Sequence, residues 1–364
     1  EKNSFFLSFT DKSDIMDFSF MIKVSKGKVI LESRPGVEFE NNGVLNPACV
    51  DKDGVTHMFY RAVKVGNFST IGLVKIKDGK EIYRSDKPVL EPEYKYERHG
   101  IEDPRITYME GKYYLFYTAY DGRSAVVAYA ISYDLVKWKK MGVISPQISY
   151  DEAEDIFRSS GVGEKYTYFE ERFRRDKGEG VYLWEKDTAL FPKKINGKYA
   201  IIHRVLPGIQ ILYFDNFEQL TQNYWRNYLA NLKKYLVLEP KYSFENDYIG
   251  GGCVPIETEA GWLIIFHSVE VDIKKGRVYH AAAALLDIND PTKVIGRLAY
   301  PLFSPENSWE KKGVINNVVF PTGVSVKGDK LLIYYGAADN VIGVRQVSCS
   351  ELIKEMKNET KKTN

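Results

Sequence analysis

The segment His-Gly-Ile-Glu-Asp-Pro-Arg, residues 99–105, joins two adjacent carboxylates to an arginine and a proline. Carboxyl groups in such a cluster can serve as general acids or bases in proton transfer. Proline lacks a backbone N–H, so Pro104 is not expected in a strand that makes every ladder hydrogen bond. We therefore expect Glu102, Asp103 and Arg105 where a strand reaches a cavity.

Further acidic, basic and aromatic residues occur at comparable places along the chain. Glycoside cleavage requires two carboxyl functions, one to protonate the leaving oxygen and one to activate the nucleophile. Carboxylates that bind hydroxyl groups and aromatic rings that stack on sugar faces would complete such a site. The candidates are Asn46, Arg61, Glu102, Asp103, Arg105, Tyr120, Glu185, Lys186, Asp187, His203, Arg204, Glu245, His267, Tyr279 and Asp339. Arg105 or Asp187 taken alone is equally well explained by a buried salt bridge.

A repeated unit positions these residues. Five glycine-led segments rich in aromatic and aliphatic residues begin at Gly54, Gly111, Gly197, Gly261 and Gly328, and most are flanked by other short strands. Short strands with glycine turns are typical of β-sandwiches, barrels and propellers, and five copies of one unit favour a propeller. We predict an all-β fold, a single five-bladed β-propeller domain over residues 1–364, with a core at about 30–348 and a tail at 349–364.

Two insertions interrupt the repeat. Residues 146–180 contain the charged run 170–175, which predicts a surface loop. Residues 218–238 carry apolar side chains three or four positions apart, which predicts a helix. This helix is expected to pack against the side of the propeller, with cleft cover or homo-oligomer formation as alternatives. The tail from residue 350 predicts a short frayed helix.

Composition excludes several classes of protein. A net charge of +2 argues against nucleic acid as the main partner, and no apolar run is long enough to span a membrane. Three scattered cysteines and five histidines without ligand spacing predict neither a disulfide framework nor a metal site, and we expect no cofactor. The chain begins at Glu1 without methionine, so we expect that a signal peptide or a tag has been removed. We expect a periplasmic or otherwise exported protein, with the cytoplasm as the alternative.

An ordered series of motifs resembles glycoside hydrolase family 130. The series runs from about Asn46 to Asp339 and includes residues 100–106, Lys186-Asp187 with Phe191-Pro192, and residues 285–291. The resemblance implies a five-bladed propeller that cleaves β-mannosides with inversion, using either phosphate or water. It also implies that Asp103 is the proton donor, acting in phosphorylases through the mannose 3-hydroxyl, and that Arg61 and Asp339 help to bind the cleaved sugar.

Two positions depart from the phosphorylase pattern of that family. Val126 stands where those enzymes carry a phosphate-binding arginine, and Glu185 stands where they carry an asparagine. Loss of a guanidinium and gain of a carboxylate disfavour an anion and suit a water nucleophile. Glu185 and Glu245 together resemble the arrangement of glutamates in the family's β-1,2-mannosidases. We therefore predict an inverting glycosidase that acts on a β-1,2-linked mannose oligosaccharide, with Asp103, Glu185 and Glu245 as catalytic residues.

The general acid requires a raised pKa, and the charge of Glu102 is expected to raise the pKa of Asp103.

Three other functions remain compatible with the sequence. A β-mannoside phosphorylase can recruit phosphate with Lys186, Arg204 and the basic segment 172–175 and release mannose 1-phosphate. A glycosidase acting on arabinans or fructans would also use a ring of carboxylates, and a non-catalytic glycan-binding propeller would use the aromatic residues alone.

Overall fold

The computed structural model describes residues 21–363, without the side chains of Glu170, Phe173, Arg174 and Thr363. The strands of this part of the chain form successive antiparallel units. Unit one contains β2 (Gly43–Lys52), β3 (Val55–Lys64), β4 (Phe68–Lys77) and β5 (Lys80–Arg84). Unit two contains β6 (Gly100–Met109), β7 (Lys112–Tyr120), β8 (Ala125–Ser132) and β9 (Lys139–Val143). A parallel bridge between Ser69 and Gly100 joins these two units into one sheet.

The later units follow the same plan. Unit three contains β10 (Ala189–Leu190), β11 (Tyr199–His203), β12 (Ile209–Phe214) and β13 (Leu236–Leu238). Unit four contains β14 (Tyr248–Gly251), β15 (Ile256–Thr258), β16 (Gly261–Asp272), β17 (Gly276–Leu286) and β18 (Val294–Arg297). Unit five contains β19 (Val319–Lys327), β20 (Lys330–Ala337) and β21 (Val341–Ser348), and β1 (Lys28–Leu31) pairs with β21. The expectation of an all-β fold is confirmed.

The core lies between the units. Along β16, Trp262 and Ile264 pack toward unit three, whereas Leu263 and Ile265 pack toward unit five. Successive strand residues face opposite sides of a sheet, so a strand buried on both sides is an unbroken apolar run. Within the described residues, apolar clusters lie between units one and two, two and three, three and four, four and five, and five and one. Each sheet is therefore covered by its neighbours in the chain.

The insertion at 146–180 is helical, so the predicted surface loop is wrong. It forms α1 (Tyr150–Ser160) and α2 (Glu164–Lys177). Ser149 caps α1 by accepting a hydrogen bond from the Glu152 N–H, and Gly161 ends the helix with a φ of 73°. Apolar residues of both helices, among them Phe157 and Tyr166, are buried against units two and three. The charged run masked this apolar face.

Three further helices follow, and the last, with 15 residues, is not the short frayed helix that the sequence predicts. Helix α3 (Gln222–Ala230) falls within the predicted helix at 218–238 and packs on the side of unit three, where Trp225 and Tyr228 are buried. Helix α4 (Ser308–Lys311) precedes unit five, and α5 (Cys349–Thr363) forms the tail. Leu352 and Met356 of α5 are fully buried, which fixes this helix against units four and five. No helix within residues 21–363 is long and apolar enough to cross a membrane.

Candidate active site

Side chains from all units line one polar cavity of about 400 Å³. Nine of the predicted site residues contribute to its lining: Asn46, Arg61, Asp103, Lys186, Asp187, Arg204, His267, Tyr279 and Asp339. Six others lie elsewhere: Glu102, Arg105, Tyr120, Glu185, His203 and Glu245. The cavity thus brings together residues that are far apart in the sequence.

β-Bulges orient the side chains of Asn46 and Asp103. Asn46 and Asp103 adopt left-handed backbone conformations with φ of 46° and 51°, and each precedes a proline. The strand register slips at both places, between Leu45 and Ala48 and between Glu102 and Arg105. Asparagine and aspartate tolerate this conformation better than other side-chain-bearing residues, and a bulge redirects a side chain. As a result, Asn46 Nδ2 donates a 2.8 Å hydrogen bond to Asp103 Oδ1.

Cations surround the acid pair at residues 102 and 103. Arg61 Nη2 lies 2.8 Å from Glu102 Oε1, and Arg61 Nη1 lies 3.4 Å from Asp103 Oδ1. Lys186 Nζ lies 3.2 Å from the other oxygen of Glu102. Glu102 therefore holds Arg61 and Lys186 at the edge of the cavity, although it does not line the cavity itself.

Two of the aspartates that line the cavity, Asp103 and Asp339, differ in pKa. Burial acts to raise the pKa of Asp103, but Arg61, Lys186, Arg105 and the hydrogen bond from Asn46 together place it below its usual value. The expectation that Glu102 raises this pKa is corrected, because the nearby cations dominate. Burial raises the pKa of Asp339 to about 6, reinforced by the charges of Asp103 and Glu102 against the opposing effect of Arg61. Opposite shifts in neighbouring carboxyls separate ionised and neutral roles.

Arg105 supports the cavity from behind. Its side chain is 1% exposed, and its Nε donates a 2.6 Å hydrogen bond to the Gly252 carbonyl. Its Nη1 donates to the Asp103 carbonyl at 3.0 Å, and its Nη2 lies 3.5 Å from Asp187 Oδ1. Arg105 thereby links units two, three and four, which agrees with the salt-bridge interpretation of this residue.

Glycines let unit four approach the site. A Cβ on Gly250 would lie 2.4 Å from His267 Cε1 and 2.8 Å from Arg204 Cδ, which is too close for any side chain. His267 Nδ1 lies 3.3 Å from the Gly251 carbonyl, and Arg204 Nη1 lies 2.8 Å from Asp187 Oδ2. Burial lowers the pKa of His267 to about 4, with Arg204 and Arg105 adding to this effect over the opposing charge of Asp187. His267 is therefore neutral near pH 7.

Three buried polar atoms at the cavity have neither a hydrogen-bond partner nor an ion-pair partner within the described part of the chain. They are Asn46 Oδ1, Arg204 Nε and His267 Nε2. Buried polar atoms in native proteins are nearly always satisfied, and an unsatisfied group calls for a bound molecule or water. These atoms offer one donor and two acceptors to a polar ligand.

Helix α2 supplies a wall of the cavity that the sequence analysis missed. Phe169, Arg172 and Asp176 line the cavity, and their spacing of three and four residues places them on one helical face. Arg172 Nη1 lies 3.3 Å from Asp247 Oδ1, and Arg277 Nε lies 3.1 Å from Asp247 Oδ2. This helical spacing was the available signal, but the charges around it were interpreted as a solvated loop.

The structure corrects the assignment of Glu185 as a catalytic base. The carboxylate is buried, and its Oε1 lies 3.0 Å from His203 Nδ1. His203 Nε2 in turn lies 2.7 Å from the Tyr228 hydroxyl on α3. Glu185 and His203 therefore join unit three to the helix outside it. Tyr120 also lies outside the lining, where its hydroxyl donates to the Gly122 carbonyl at 2.9 Å.

Glu245 is a structural residue, and its assignment as a second base is corrected for the same reason. It ends a 3₁₀ helix, Ser243–Glu245, and its Oε2 accepts hydrogen bonds from the N–H groups of Lys241 and Tyr242 at 2.7 and 3.0 Å. Its Oε1 lies 2.7 Å from Arg297 Nη2. Both oxygens are therefore engaged in the interior.

Glu245 has three counterparts in other units. Glu40, Glu97 and Glu310 also end a short helix or lie in its first turn, are fully buried, and pair with Arg84, Lys140 and Arg345, respectively. We refer to Glu40, Glu97, Glu245 and Glu310 as the structural glutamates. Their recurrence shows that they belong to the framework of the repeat.

Within residues 21–363, no group of three or more His, Cys, Asp or Glu side chains is arranged to hold a metal ion.

Comparison with known proteins identifies relatives along nearly the whole chain. The family model for glycoside hydrolase family 130, described as beta-1,4-mannooligosaccharide phosphorylase, matches residues 21–358. The 1,2-beta-oligomannan phosphorylase of Thermoanaerobacter sp. (strain X514) is 34% identical over 336 residues, which cover 89% of this chain and 97% of the relative. The beta-1,2-mannobiose phosphorylase of the same organism is 34% identical over 342 residues, covering 89% and 96%.

A solved structure shares the fold. The beta-1,2-mannobiose phosphorylase from Listeria innocua, in complex with beta-1,2-mannobiose, superposes with a TM-score of 0.65 at 23% identity, covering 87% of this chain and 92% of that chain. The named relatives are phosphorylases, so the predicted glycosidase that uses water is wrong. The inference from Val126 and Glu185 failed because the structure commits Glu185 to His203 and because other cations line the cavity.

Proposed function

The chain belongs to glycoside hydrolase family 130, and we propose that it is an inverting β-mannoside phosphorylase that cleaves β-1,2-linked mannooligosaccharides with inorganic phosphate. The resemblance noted in the sequence is thereby confirmed at the level of the family. The names of the two relatives from Thermoanaerobacter support the β-1,2 linkage.

We further infer that the units form one five-bladed propeller domain. Two observations support this arrangement. The apolar clusters join the units in cyclic order, including unit five to unit one, and β1 pairs with β21 of the last unit. Side chains from every unit also line one cavity, as expected where the inner strands of blades converge on an axis.

The charge of the cavity is the observation that carries the proposed reaction. Six cationic side chains line it, Arg61, Arg172, Lys177, Lys186, Arg204 and Arg277, against the four carboxylates Asp103, Asp176, Asp187 and Asp339. Arg204 also keeps a buried Nε–H without a partner among the described residues. Charge-assisted hydrogen bonds to oxyanions are among the strongest in proteins. A phosphate bound between Lys186 and Arg204 satisfies this donor and offsets the positive charge.

These cations also explain why Val126 was misleading. The sequence comparison considered a single position, whereas the cavity collects Lys186 and Arg204 from unit three, Arg277 from unit four and Arg172 from α2. An anion site requires positive charge and donors at the right place in space, and different positions in the chain can supply them.

In the proposed reaction, an oxygen of hydrogen phosphate attacks the anomeric carbon while the glycosidic C–O bond breaks on the opposite face. Asp103 delivers a proton to the departing sugar oxygen through the mannose 3-hydroxyl, as the family resemblance implies, and the proton of hydrogen phosphate balances the one delivered. The products are α-mannose 1-phosphate and a shortened oligosaccharide. Asp103 can serve as the acid because a phosphate beside Lys186 reduces the effect of the cations that lower its pKa.

No general base is required for this chemistry, since phosphate is already an anionic nucleophile. The burial of Glu185 and Glu245 is therefore no obstacle. Asp339, with its pKa raised to about 6, is suited to exchange hydrogen bonds with sugar hydroxyl groups beside Asp103.

Incubation with β-1,2-mannobiose in the presence and absence of inorganic phosphate tests this function. We expect α-mannose 1-phosphate, identified by ³¹P and ¹H NMR, only when phosphate is present. Release of free mannose at the same rate without phosphate would contradict the proposal. Parallel assays with β-1,4-linked mannobiose test the linkage, for which we expect a much lower rate.

A further inference from the structure

A second cavity lies on the outer side of unit three, and it shares no lining residue with the active-site cavity. It has a volume of about 540 Å³ and is enclosed by α3, β12, the turn between β10 and β11, and the turn after β17. Four tyrosines line it: Tyr213, Tyr224, Tyr228 and Tyr235. We call it the tyrosine cavity.

The rings of the tyrosine cavity are held in place. The Tyr224 hydroxyl donates to the Tyr213 carbonyl, and the Tyr228 hydroxyl lies 3.0 Å from the Ile211 carbonyl. The rings of Tyr228 and Tyr235 lie 4.8 Å apart at an interplanar angle of 30°. A ligand that stacks on fixed rings does not have to order them, which lowers the entropic cost of binding.

Polar groups remain available beside these rings. Among the described residues, the hydroxyls of Tyr213 and Tyr235 have no hydrogen-bond partner, and Asn289 and Asp290 form the facing wall. Asn196 Nδ2 donates a 3.1 Å hydrogen bond to the Asn289 carbonyl, which fixes this wall across units three and four. The cavity therefore combines aromatic faces with hydroxyl, amide and carboxylate groups.

This combination matches an uncharged carbohydrate better than other ligands. Aromatic rings bind the C–H faces of sugars, while amide and carboxylate oxygens accept their hydroxyl protons. Asp290 is paired with Lys293 at 3.2 Å, and the lining residue Lys198 is paired with Asp215 at 3.5 Å. The balanced charges favour an uncharged ligand, and the polar wall disfavours an apolar one. We propose that the tyrosine cavity is a second carbohydrate-binding site that holds a distant segment of the mannooligosaccharide substrate. The choice of mannose rests on the proposed function.

Calorimetric titration with a long β-1,2-linked mannooligosaccharide tests this site in phosphate-free buffer, where phosphorolysis does not proceed. We expect two sites per chain in the unaltered protein and one in Tyr213→Ala or Asn289→Ala. Tyr133→Ala, which removes a tyrosine that is 71% exposed outside both cavities, is the matched control and should keep two. In phosphate, Tyr213→Ala should raise the KM for the long substrate about tenfold and leave mannobiose turnover unchanged.

A single site in the unaltered protein, two sites in both variants, or no binding of any mannooligosaccharide would overturn the inference. A separate measurement tests the proposed phosphorylase activity, which would be refuted if no mannose 1-phosphate formed. The number of binding sites measured without phosphate does not depend on that result. Because Asn289 lies on an exposed turn, its variant keeps the test valid even if Tyr213→Ala reduces folding.

Discussion

The structural glutamates stabilise the framework, whereas the cavity aspartates Asp103 and Asp187 line the candidate active site. Both are buried carboxylates that lie beside arginine or lysine. Glu310 accepts the N–H groups of Glu306 and Asn307 at 2.7 Å each and also binds the Tyr335 hydroxyl and Arg345. The active-site cavity instead leaves Asn46 Oδ1, Arg204 Nε and His267 Nε2 without partners among the described residues. Lining the shared cavity, rather than burial or charge alone, therefore distinguishes the functional acids from the structural glutamates.

The largest expected effect comes from the cavity. Asp103→Asn removes the proposed proton donor while keeping its shape and its position beside Asn46. We expect mannose 1-phosphate formation to fall about 10³-fold or more, because general acid catalysis contributes on the order of 10²–10⁴-fold. The melting temperature should change by no more than a few degrees, measured by calorimetry. Activity within tenfold of the unaltered protein would remove Asp103 from the mechanism.

The structural glutamates should show the reverse behaviour. Glu310→Gln leaves the buried Arg345 without its buried charged partner and is expected to lower the free energy of unfolding by about 3 kcal/mol. The kcat of the folded protein should be unchanged. Glu306→Gln is the matched control, since Glu306 also contacts Arg345, at 3.1 Å, but its side chain is 65% exposed. That variant should lose less than about 1 kcal/mol. Equal losses in the two variants would refute the distinction between the regions.

Lys186→Met tests the anion site within the cavity. We expect the KM for phosphate to rise about tenfold or more, since a charge-assisted contact is worth on the order of 1.5–3 kcal/mol. The KM for mannobiose should change less. Lys193→Met, which removes an exposed lysine paired with Glu257, serves as the control. A selective rise in the KM for mannobiose would place phosphate elsewhere.

The smallest effect concerns Asp339 and depends on pH. Its pKa is raised by burial to about 6, so ionisation of Asp339 destabilises the folded protein as the pH rises from about 4 through 6. Asp339→Asn mimics the neutral form and should raise the melting temperature by about 2 °C at pH 8 and by almost nothing at pH 4. The opposite pH trend in scanning calorimetry would mean that the carboxylate, not the acid, is the favoured form.

Much of the architecture could be predicted from the sequence because each repeated unit has a recognisable local sequence pattern. Glycine-led apolar segments indicated the strands, and Asn46-Pro47 and Asp103-Pro104 marked the places where the cavity is built. Helix α2 was missed because charges obscured its apolar face. The spacing of Phe169, Arg172 and Asp176 becomes informative only when a helix is assumed.

The roles of the glutamates were harder to predict. Glu245 was singled out in isolation, although aromatic-glutamate pairs recur at Phe39-Glu40, Tyr96-Glu97, Phe244-Glu245 and Trp309-Glu310. That recurrence was a readable sign of a framework residue. The sequence pattern could not predict that Glu185 contacts His203, because this contact depends on where β11 lies in three dimensions.

The pairing of β1 with β21 has a consequence for synthesis. Val29 finds its partner Gly343 only after nearly the whole chain has been translated. Until then, β1 has no strand partner, and an unpaired strand is the kind of exposure that promotes aggregation of nascent polypeptides. Protection of β1 is therefore completed only after the last strand has been translated.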